Sequence, residues 1–191
     1  MSHPAKSHPA VATLVSEIKT VLASTHNARD ITDRVAALAQ PLATDRDWIE
    51  PRCHATDESQ GIGITILHAE PDNTLLIETV CWQAGRGVAP HDHQTWGVVV
   101  GLEGEETNVT WRRLDDGSQD GHASLEPSDE IVVRSGDIVQ LLPTDIHSVR
   151  NDGKTNSMSL HIYGRDLATV DRSEFDPINK TQRPCPRRIR R

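Results

Sequence analysis

The 191-residue sequence predicts an all-β domain, either a sandwich or a closed barrel, with α-helices packed outside it at the N-terminal end. Two observations predict this fold. From about Trp48 onward, short runs rich in Val, Ile, Leu and Thr follow one another, with turn sequences between them and no helical segment. Before that point, apolar residues recur at helical spacing instead. Because short strands must cover their edges, we expect the sheet to close or to stack.

Composition and charge exclude several classes of protein. The chain has 28 acidic and 20 basic residues and a formal net charge of -8, which argues against a dedicated nucleic-acid binder. No run approaches the roughly 18 apolar residues of a membrane span, and the N-terminus does not resemble a signal peptide. The three cysteines are too few for a disulfide framework. We therefore expect a cytoplasmic protein that binds neither nucleic acid nor membrane, and homo-oligomerisation is left open.

Residues 1–47 form a tail followed by two helices. The first helix is predicted from an apolar stripe that begins at Pro9: Val11, Leu14, Val15, Ile18, Val21 and Leu22. The second is predicted to open at Asp30, a suitable N-cap, and to end before Pro41. Both helices are interpreted as packing elements.

Residues 48–176 carry the predicted barrel and residues 177–191 a basic tail. The strand-like runs lie at 62–67, 74–82, 98–102, 108–114, 130–133, 138–142 and 157–163. The tail has no acidic residue and six basic ones: Lys180, Arg183, Arg187, Arg188, Arg190 and Arg191. RNA or an acidic subunit could bind it, and a solvated tail or a subunit contact is the expectation.

Three of the ten histidines are spaced in a way that indicates a metal site. His91 and His93 stand at i and i+2, and alternate residues of a strand share a face. His147 lies just after another predicted strand. A barrel can bring ligands from neighbouring strands together. The alternative is that the sequence around His91 and His93 is only a polar turn.

The spacing of glycine and proline residues around these histidines resembles the two motifs of the cupin superfamily. The first motif is matched by Gly85, His91, His93 and Gly104, and the second by Gly136, Pro143, His147 and Asn151. The resemblance implies a small double-stranded β-helix, or jelly-roll, barrel that holds a metal through three histidines. Most cupins add a carboxylate ligand where this chain has Gly97 or Val98. Three neutral imidazoles leave a divalent charge uncompensated, which favours an anionic ligand such as a thiolate.

A further pattern narrows the resemblance. Ser159, His161 and Tyr163 alternate along one predicted strand, so they share a face and can pair as hydrogen-bond partners inside a barrel. The alternative is an exposed polar face. With the CW pair at 81–82 and the WG pair at 96–97, this arrangement is similar to the thiol dioxygenases of the cysteine dioxygenase family. That family implies a ferrous iron cofactor, O₂, and oxidation of a small thiol to its sulfinate. It also implies that the Tyr163 hydroxyl, ordered by the other two side chains, assists at the iron.

Within that family, the sequence is more similar to bacterial 3-mercaptopropionate dioxygenases than to animal cysteine dioxygenases. The animal enzymes have a cysteine, linked to the catalytic tyrosine, where this chain has Gly97. The strand position that carries Arg or Gln elsewhere in the family holds Ile64 or Thr65. Arg172 instead resembles the carboxylate anchor of the mercaptopropionate enzymes, the alternative being an exposed surface arginine.

The sequence therefore predicts an Fe(II)-dependent thiol dioxygenase that oxidises a small mercapto-carboxylate. Three alternatives remain: a cysteine dioxygenase, a cupin that binds a metal or small ligand without catalysis, and a cupin enzyme of different chemistry. Among the other reactive side chains, Cys81 is expected in the core and Cys185 in the tail, where it is interpreted as inert. Three carboxylates that could replace the missing ligand are expected in a turn instead: Glu103, Glu105 and Glu106.

Overall fold

The computed structural model describes residues 8–190, so the predicted tail at 1–7 lies outside the described part of the chain. The two predicted helices are present as α1 (Pro9–Ser24) and α2 (Ala28–Ala39). The second begins earlier than predicted. Its N-cap is Asn27, whose side chain accepts a hydrogen bond from the Asp30 backbone N–H at 3.1 Å. Asp30 lies in the first turn instead, where a carboxylate favours the positive end of the helix dipole.

In the part of the chain that the structure describes, eleven strands follow the helices and two short 3₁₀ turns at Gln40–Ala43 and Pro51–His54. Seven of them overlap the predicted runs, with ends that differ by one or more residues in most: β1 (Ile62–Ala69), β2 (Leu76–Trp82), β4 (Gly97–Glu103), β5 (Glu106–Arg113), β6 (Leu125–Val133), β7 (Ile138–Leu141) and β9 (Ser157–Tyr163). The other four were not predicted: β3 (Gly87–His91), β8 (Ile146–Arg150), β10 (Ser173–Asp176) and β11 (Thr181–Pro184). These four are only four or five residues long, and mixed polar sequences of that length give no clear alternation.

The strands form two antiparallel sheets that confirm the predicted jelly-roll barrel. One sheet has the order β1-β2-β9-β4-β7 and the other the order β11-β10-β3-β8-β5-β6. Several neighbours, such as β2 and β9 or β3 and β8, are distant in sequence, as the crossing connections of a double-stranded β-helix require. Gly104 makes the tight turn between β4 and β5 with φ of +67°, a conformation that side-chain-bearing residues rarely adopt. No helix of the described chain is long and apolar enough to cross a membrane.

The helices cover the outer face of the five-stranded sheet, and this explains why β9 is buried along its whole length. Leu160 and Ile162 belong to one apolar cluster with helix residues such as Leu14, Ile18 and Val35. Burying a side chain of this kind contributes about 1.5–3 kcal/mol. The alternate residues of β9 therefore face the barrel interior. The helices thus act as the predicted packing elements. They cover the apolar face of β9, and the polar side chains lie on its opposite face, inside the barrel.

The C-terminal segment is not the solvated tail that was expected. Strand β11 pairs with β10, and the Cys185 backbone N–H donates to the Arg172 carbonyl at 2.8 Å. Further along, the Ile189 N–H donates to the Gln60 side chain at 2.7 Å, and Arg190 forms an ion pair with Asp166 at 2.7 Å. Three of the basic residues, Arg183, Arg188 and Arg190, therefore pair with acidic residues of the barrel, which composition alone could not show.

Candidate active site

Three imidazoles converge inside the barrel. His91 ends β3, and His147 lies opposite it in β8, where the register pairs the two residues. The potential ligand atoms of His91, His93 and His147 all lie within 4.8 Å of one another. Two placements differ from the prediction. His147 lies within a strand, and His93 lies beyond the end of β3, just before Gln94 with its φ of +53°. His91 and His93 still face the same side, as alternate positions of an extended chain do, while Asp92 between them is directed to Ser173.

Hydrogen bonds to the far side of two rings orient these histidines. The His91 Nδ1–H donates to the Ala89 carbonyl and the His147 Nδ1–H donates to the Asn108 side-chain oxygen, both at 2.9 Å. This leaves the Nε2 lone pair of each ring free for another partner. His93 Nδ1 is buried and has no hydrogen-bond partner among the described residues. Outer partners of this type fix the rings of metal-binding histidines in many proteins.

Burial keeps all three imidazoles neutral. It lowers the pKa of His91 to about 4 and those of His93 and His147 well below the usual value, with the neighbouring histidines adding to the effect in the latter two. The candidate cluster contains no carboxylate among residues 8–190, since the Asp92 carboxylate accepts instead from the Ser173 N–H at 2.9 Å. Three neutral nitrogen donors, one of them without a protein partner, fit a divalent transition metal ion.

Ser159, His161 and Tyr163 form a continuous hydrogen-bonded relay on β9. Ser159 Oγ lies 2.9 Å from His161 Nε2, and His161 Nδ1 lies 2.8 Å from the Tyr163 hydroxyl oxygen. All three are buried, so the exposed polar face considered as an alternative is wrong. Burial lowers the pKa of His161 to about 3 and raises that of Tyr163, so that a neutral imidazole faces a protonated phenol.

Glu106 extends this relay and was misplaced by the sequence analysis, which put it in a turn. It is the first residue of β5 and is 3% exposed. The Ser159 hydroxyl donates to Glu106 Oε2 at 3.1 Å. Burial raises the pKa of the Glu106 carboxyl to about 7. A signal was available: extending the predicted strand at 108–114 back by two residues places Glu106 on the same face as Asn108.

Gly97 lies opposite Tyr163 in the pairing of β4 with β9. A Cβ built on Gly97 would lie 3.0 Å from the Tyr163 ring atoms Cδ1 and Cε1. A side chain at this position would therefore touch the tyrosine ring. With glycine there, the ring has no thiol neighbour at that point.

His161 and Tyr163 of the relay line one small inner cavity of about 60 Å³ together with the three histidines. A larger outer cavity of about 930 Å³ adjoins it and shares six of its lining residues: Ile64, Glu78, Leu167, Arg172, Cys185 and Arg188. The expected inert tail cysteine, Cys185, thus lies at the cavity. Arg172 stands directly before β10 at this junction, and its guanidinium forms no ion pair within residues 8–190. An unpaired guanidinium beside a cavity can bind an anionic group.

Glu78 is a buried carboxyl that lines the junction of the two cavities. It lies on β2 opposite His161, and its Oε2 has no hydrogen-bond partner in the described chain. Burial raises the pKa of Glu78 to about 7, although Arg190, 4.0 Å away, favours the charged form. Arg190 is itself held by Asp166. The rim of the cavity thus combines guanidinium groups with one carboxyl of variable charge.

A jelly-roll barrel whose interior presents three convergent, neutral imidazoles defines a cupin with a candidate transition-metal site. The family can be stated as well. The family model for cysteine dioxygenase type I matches residues 2–176, and the chain belongs to this family. Membership implies thiol dioxygenase chemistry, which the three-histidine cluster suits.

The chain is also similar, at low sequence identity, to several solved structures. An oxalate oxidase in complex with glycolate is 17% identical over 61% of this chain and 59% of its own, with a TM-score of 0.45. A double-stranded β-helix protein from Klebsiella pneumoniae is 12% identical over 59% of this chain and 84% of its own (TM-score 0.43). The Thermus thermophilus protein TT1209 is 17% identical over 61% of this chain and 95% of its own, with a TM-score of 0.45. This chain thus spans 59% of the length of the oxalate oxidase. No curated protein matches the chain with significance.

Proposed function

We propose that this protein is an Fe(II)-dependent thiol dioxygenase that converts a small mercapto-carboxylate of the 3-mercaptopropionate type, with one O₂, into its sulfinate. The observation that carries the proposal is that Tyr163 and His161 of the relay share one inner cavity with the three histidines. A cupin that only stores or senses a metal has no use for a buried Ser-His-Tyr chain beside it. Such polar chains are costly to bury unless every member is paired.

His91, His93 and His147 are the residues that would hold the iron. When bound there, ferrous iron would supply the activation of O₂ and of the thiol toward each other. Among residues 8–190 no carboxylate joins the three histidines, so the ligand set is neutral and an anionic thiolate would compensate part of the metal charge.

Tyr163 is proposed to position a proton at the reacting atoms. Its hydroxyl is held by His161 at 2.8 Å, and its ring stacks on His93 with centroids 5.0 Å apart. A positioned proton-transfer group typically contributes about 10²–10⁴-fold to a rate. His161 and Ser159 act through the tyrosine by fixing its hydroxyl.

Arg172 is proposed to bind the substrate carboxylate. The inner cavity is small and its wall is largely apolar, with Ile62, Val80, Trp82 and Val149 among the lining residues. A thiol placed there directs a carboxylate two or three bonds away toward the junction with the outer cavity. The Arg172 guanidinium lies at that junction and can pair with both carboxylate oxygens.

One observation favours L-cysteine as a second candidate substrate. The buried Glu78 carboxyl also lines the junction, and its unpartnered oxygen could accept a hydrogen bond from a substrate ammonium. Arg190 opposes this by placing a positive charge close to the same carboxyl. We therefore place 3-mercaptopropionate first and L-cysteine second.

The test is aerobic turnover of a panel of thiols by the iron-loaded protein, with oxygen consumption and sulfinate formation measured together. The panel contains 3-mercaptopropionate, L-cysteine and 2-aminoethanethiol. The proposal expects the highest kcat/KM for 3-mercaptopropionate. Preference for L-cysteine that is lost in Glu78→Gln would favour the second candidate. Absence of sulfinate from every thiol would overturn the proposed function.

A further inference from the structure

The hydrogen-bond chain from the cavity runs past Ser159 and ends at Glu106. Ser159 has one hydroxyl proton, and this proton is donated to Glu106 Oε2 at 3.1 Å. The Ser159 oxygen must then accept from His161 Nε2–H, at 2.9 Å. Since a neutral imidazole carries one N–H, His161 Nδ1 is the acceptor of the Tyr163 hydroxyl proton at 2.8 Å. Every proton in the chain thus points away from the cavity and toward Glu106.

We propose that Glu106 is the terminal proton acceptor of this relay, and that it takes up through Tyr163, His161 and Ser159 the proton that a thiol loses when it binds as a thiolate. This inference rests on the proposed function for the identity of the proton source. It assigns to Glu106 a role that acts through Tyr163, since Glu106 itself does not line the inner cavity.

The proton balance of this step is simple. The substrate S–H bond breaks and the Tyr163 oxygen gains the proton. Tyr163 passes its own proton to His161 Nδ1, His161 Nε2 passes its proton to the Ser159 oxygen, and Ser159 passes its proton to Glu106. One O–H bond forms at Glu106, the electron pair of the S–H bond stays on sulfur, and no group is oxidised or reduced. Each member of the relay afterwards holds as many protons as before, except Glu106.

The surroundings of Glu106 suit a group that gains and loses a proton. Its Oε1 has no hydrogen-bond partner among residues 8–190, although Trp82 from β2 and Asn108 from β5 lie close enough to moderate its pKa. Opposite it on β6 lies the apolar Val133. No cation is among the groups that shift its pKa, so burial prevails and the carboxyl is poised near neutral pH.

The charged and titratable groups on the strands next to Glu106 either belong to the relay or pair with each other. On β9, His161 and Tyr163 are the titratable members of the relay itself. On β8 and β6, Arg150 and Glu130 pair with each other at 3.0 Å with about half of each side chain exposed. Neither contributes to the pKa of Glu106. A carboxylate without a counter-ion at the end of a proton-conducting chain is what a proton store requires.

The experiment counts protons when 3-mercaptopropionate binds without oxygen to the iron-loaded protein. Calorimetric titrations near pH 7.5, in buffers of different ionisation enthalpy, give the number of protons released per bound thiol. In the wild type we expect well under half a proton, because the negative charge of the bound thiolate raises the pKa of Glu106 further and so keeps the proton on its carboxyl at this pH. In Glu106→Gln we expect close to one, since an amide cannot accept the proton. Glu105→Gln, at the exposed neighbour of Glu106 that pairs with Arg134, is the control and should behave like the wild type.

Release of about one proton by the wild type would overturn the inference, as would the same small release from Glu106→Gln. A change in the count caused by Glu105→Gln in place of Glu106→Gln would overturn it too. A merely structural role for Glu106 would lower stability or affinity, but it would leave the proton count unchanged.

A second measurement needs no thiol and separates this inference from the proposed function. Nitrogen-15 NMR of the zinc-loaded protein reports which His161 nitrogen carries the proton. The relay predicts an Nε2–H form above about pH 7 and an Nδ1–H form below it, and a tautomer that does not change with pH in Glu106→Gln. If these forms are found but no thiol is oxidised, the proposed function fails and the relay assignment stands. A tautomer that does not change with pH in the wild type would overturn the relay assignment.

Discussion

The Tyr163 ring stacks on the His93 ring, with centroids 5.0 Å apart and planes inclined by 24°. This contact joins the two parts of the candidate active site, because His93 belongs to the three-histidine cluster and Tyr163 ends the relay. The stacking fixes the phenol ring from one face, and the hydrogen bond to His161 fixes its hydroxyl. A proton-transfer group must be held within hydrogen-bond reach of its target, and these two contacts hold it.

The first prediction concerns the metal. The alanine variants of His91, His93 and His147 should each lose most of the bound divalent ion, because two neutral imidazoles hold such an ion weakly. Metal analysis of the purified proteins measures this. His54→Ala is the matched control, since His54 is largely exposed and pairs with Glu103 instead. Full occupancy in any of the three variants would remove that histidine from the ligand set.

The second prediction concerns the covalent state of Tyr163. Position 97 is the backbone point that faces the tyrosine ring, and glycine offers no sulfur there. The intact mass of the aerobically purified protein should therefore equal that of the unmodified chain. A mass lower by two hydrogens, traced to a peptide that contains Tyr163, would show a cross-link to another residue.

The third prediction tests the relay as a whole. Tyr163→Phe and His161→Ala should keep their iron but oxidise 3-mercaptopropionate about 10²–10⁴-fold more slowly, since the positioned proton is lost. Ser159→Ala should slow the reaction as well, whereas Ser157→Ala on the same strand should not, because Ser157 has no hydrogen bond to the relay. Wild-type rates in Tyr163→Phe with iron bound would make the relay structural only.

The sequence predicted the relay and the three histidines more fully than the rest of the site, for physical reasons. Strand alternation is local, so the pattern of Ser159, His161 and Tyr163 shows their common face without any knowledge of the fold. His91 and His93 lie on one side, as alternation predicts, although β3 ends at His91 and the chain turns only after His93, at Gln94.

What was missed depends on contacts between distant parts of the chain. Glu106 is buried inside the barrel, where Ser159, 53 residues away in sequence, donates a hydrogen bond to its carboxylate. The C-terminal segment packs on the barrel through partners such as Gln60, 129 residues from Ile189. From composition, that segment is only a basic tail. Its own residues indicate neither their acidic partners nor their position at the cavity.

The fourth prediction concerns the substrate carboxylate. Arg172→Ala should raise KM for 3-mercaptopropionate about tenfold or more, which corresponds to roughly 1.4 kcal/mol for one lost charge-assisted contact. KM for 2-aminoethanethiol, which has no carboxylate, should change little. Arg187→Ala is the control, since Arg187 is exposed and lines only the outer cavity. Equal effects of Arg172→Ala on both thiols would dismiss Arg172 as the anchor.

The central claim is that one O₂ is incorporated into one thiol at the three-histidine site. The most direct measurement is turnover of 3-mercaptopropionate under ¹⁸O₂ by the iron-loaded protein, followed by mass spectrometry of the product. We predict a sulfinate that carries two ¹⁸O atoms, formed in a 1:1 ratio to the oxygen consumed and absent with His147→Ala. Formation of disulfide and peroxide in place of sulfinate, or a sulfinate without the label, would contradict the claim.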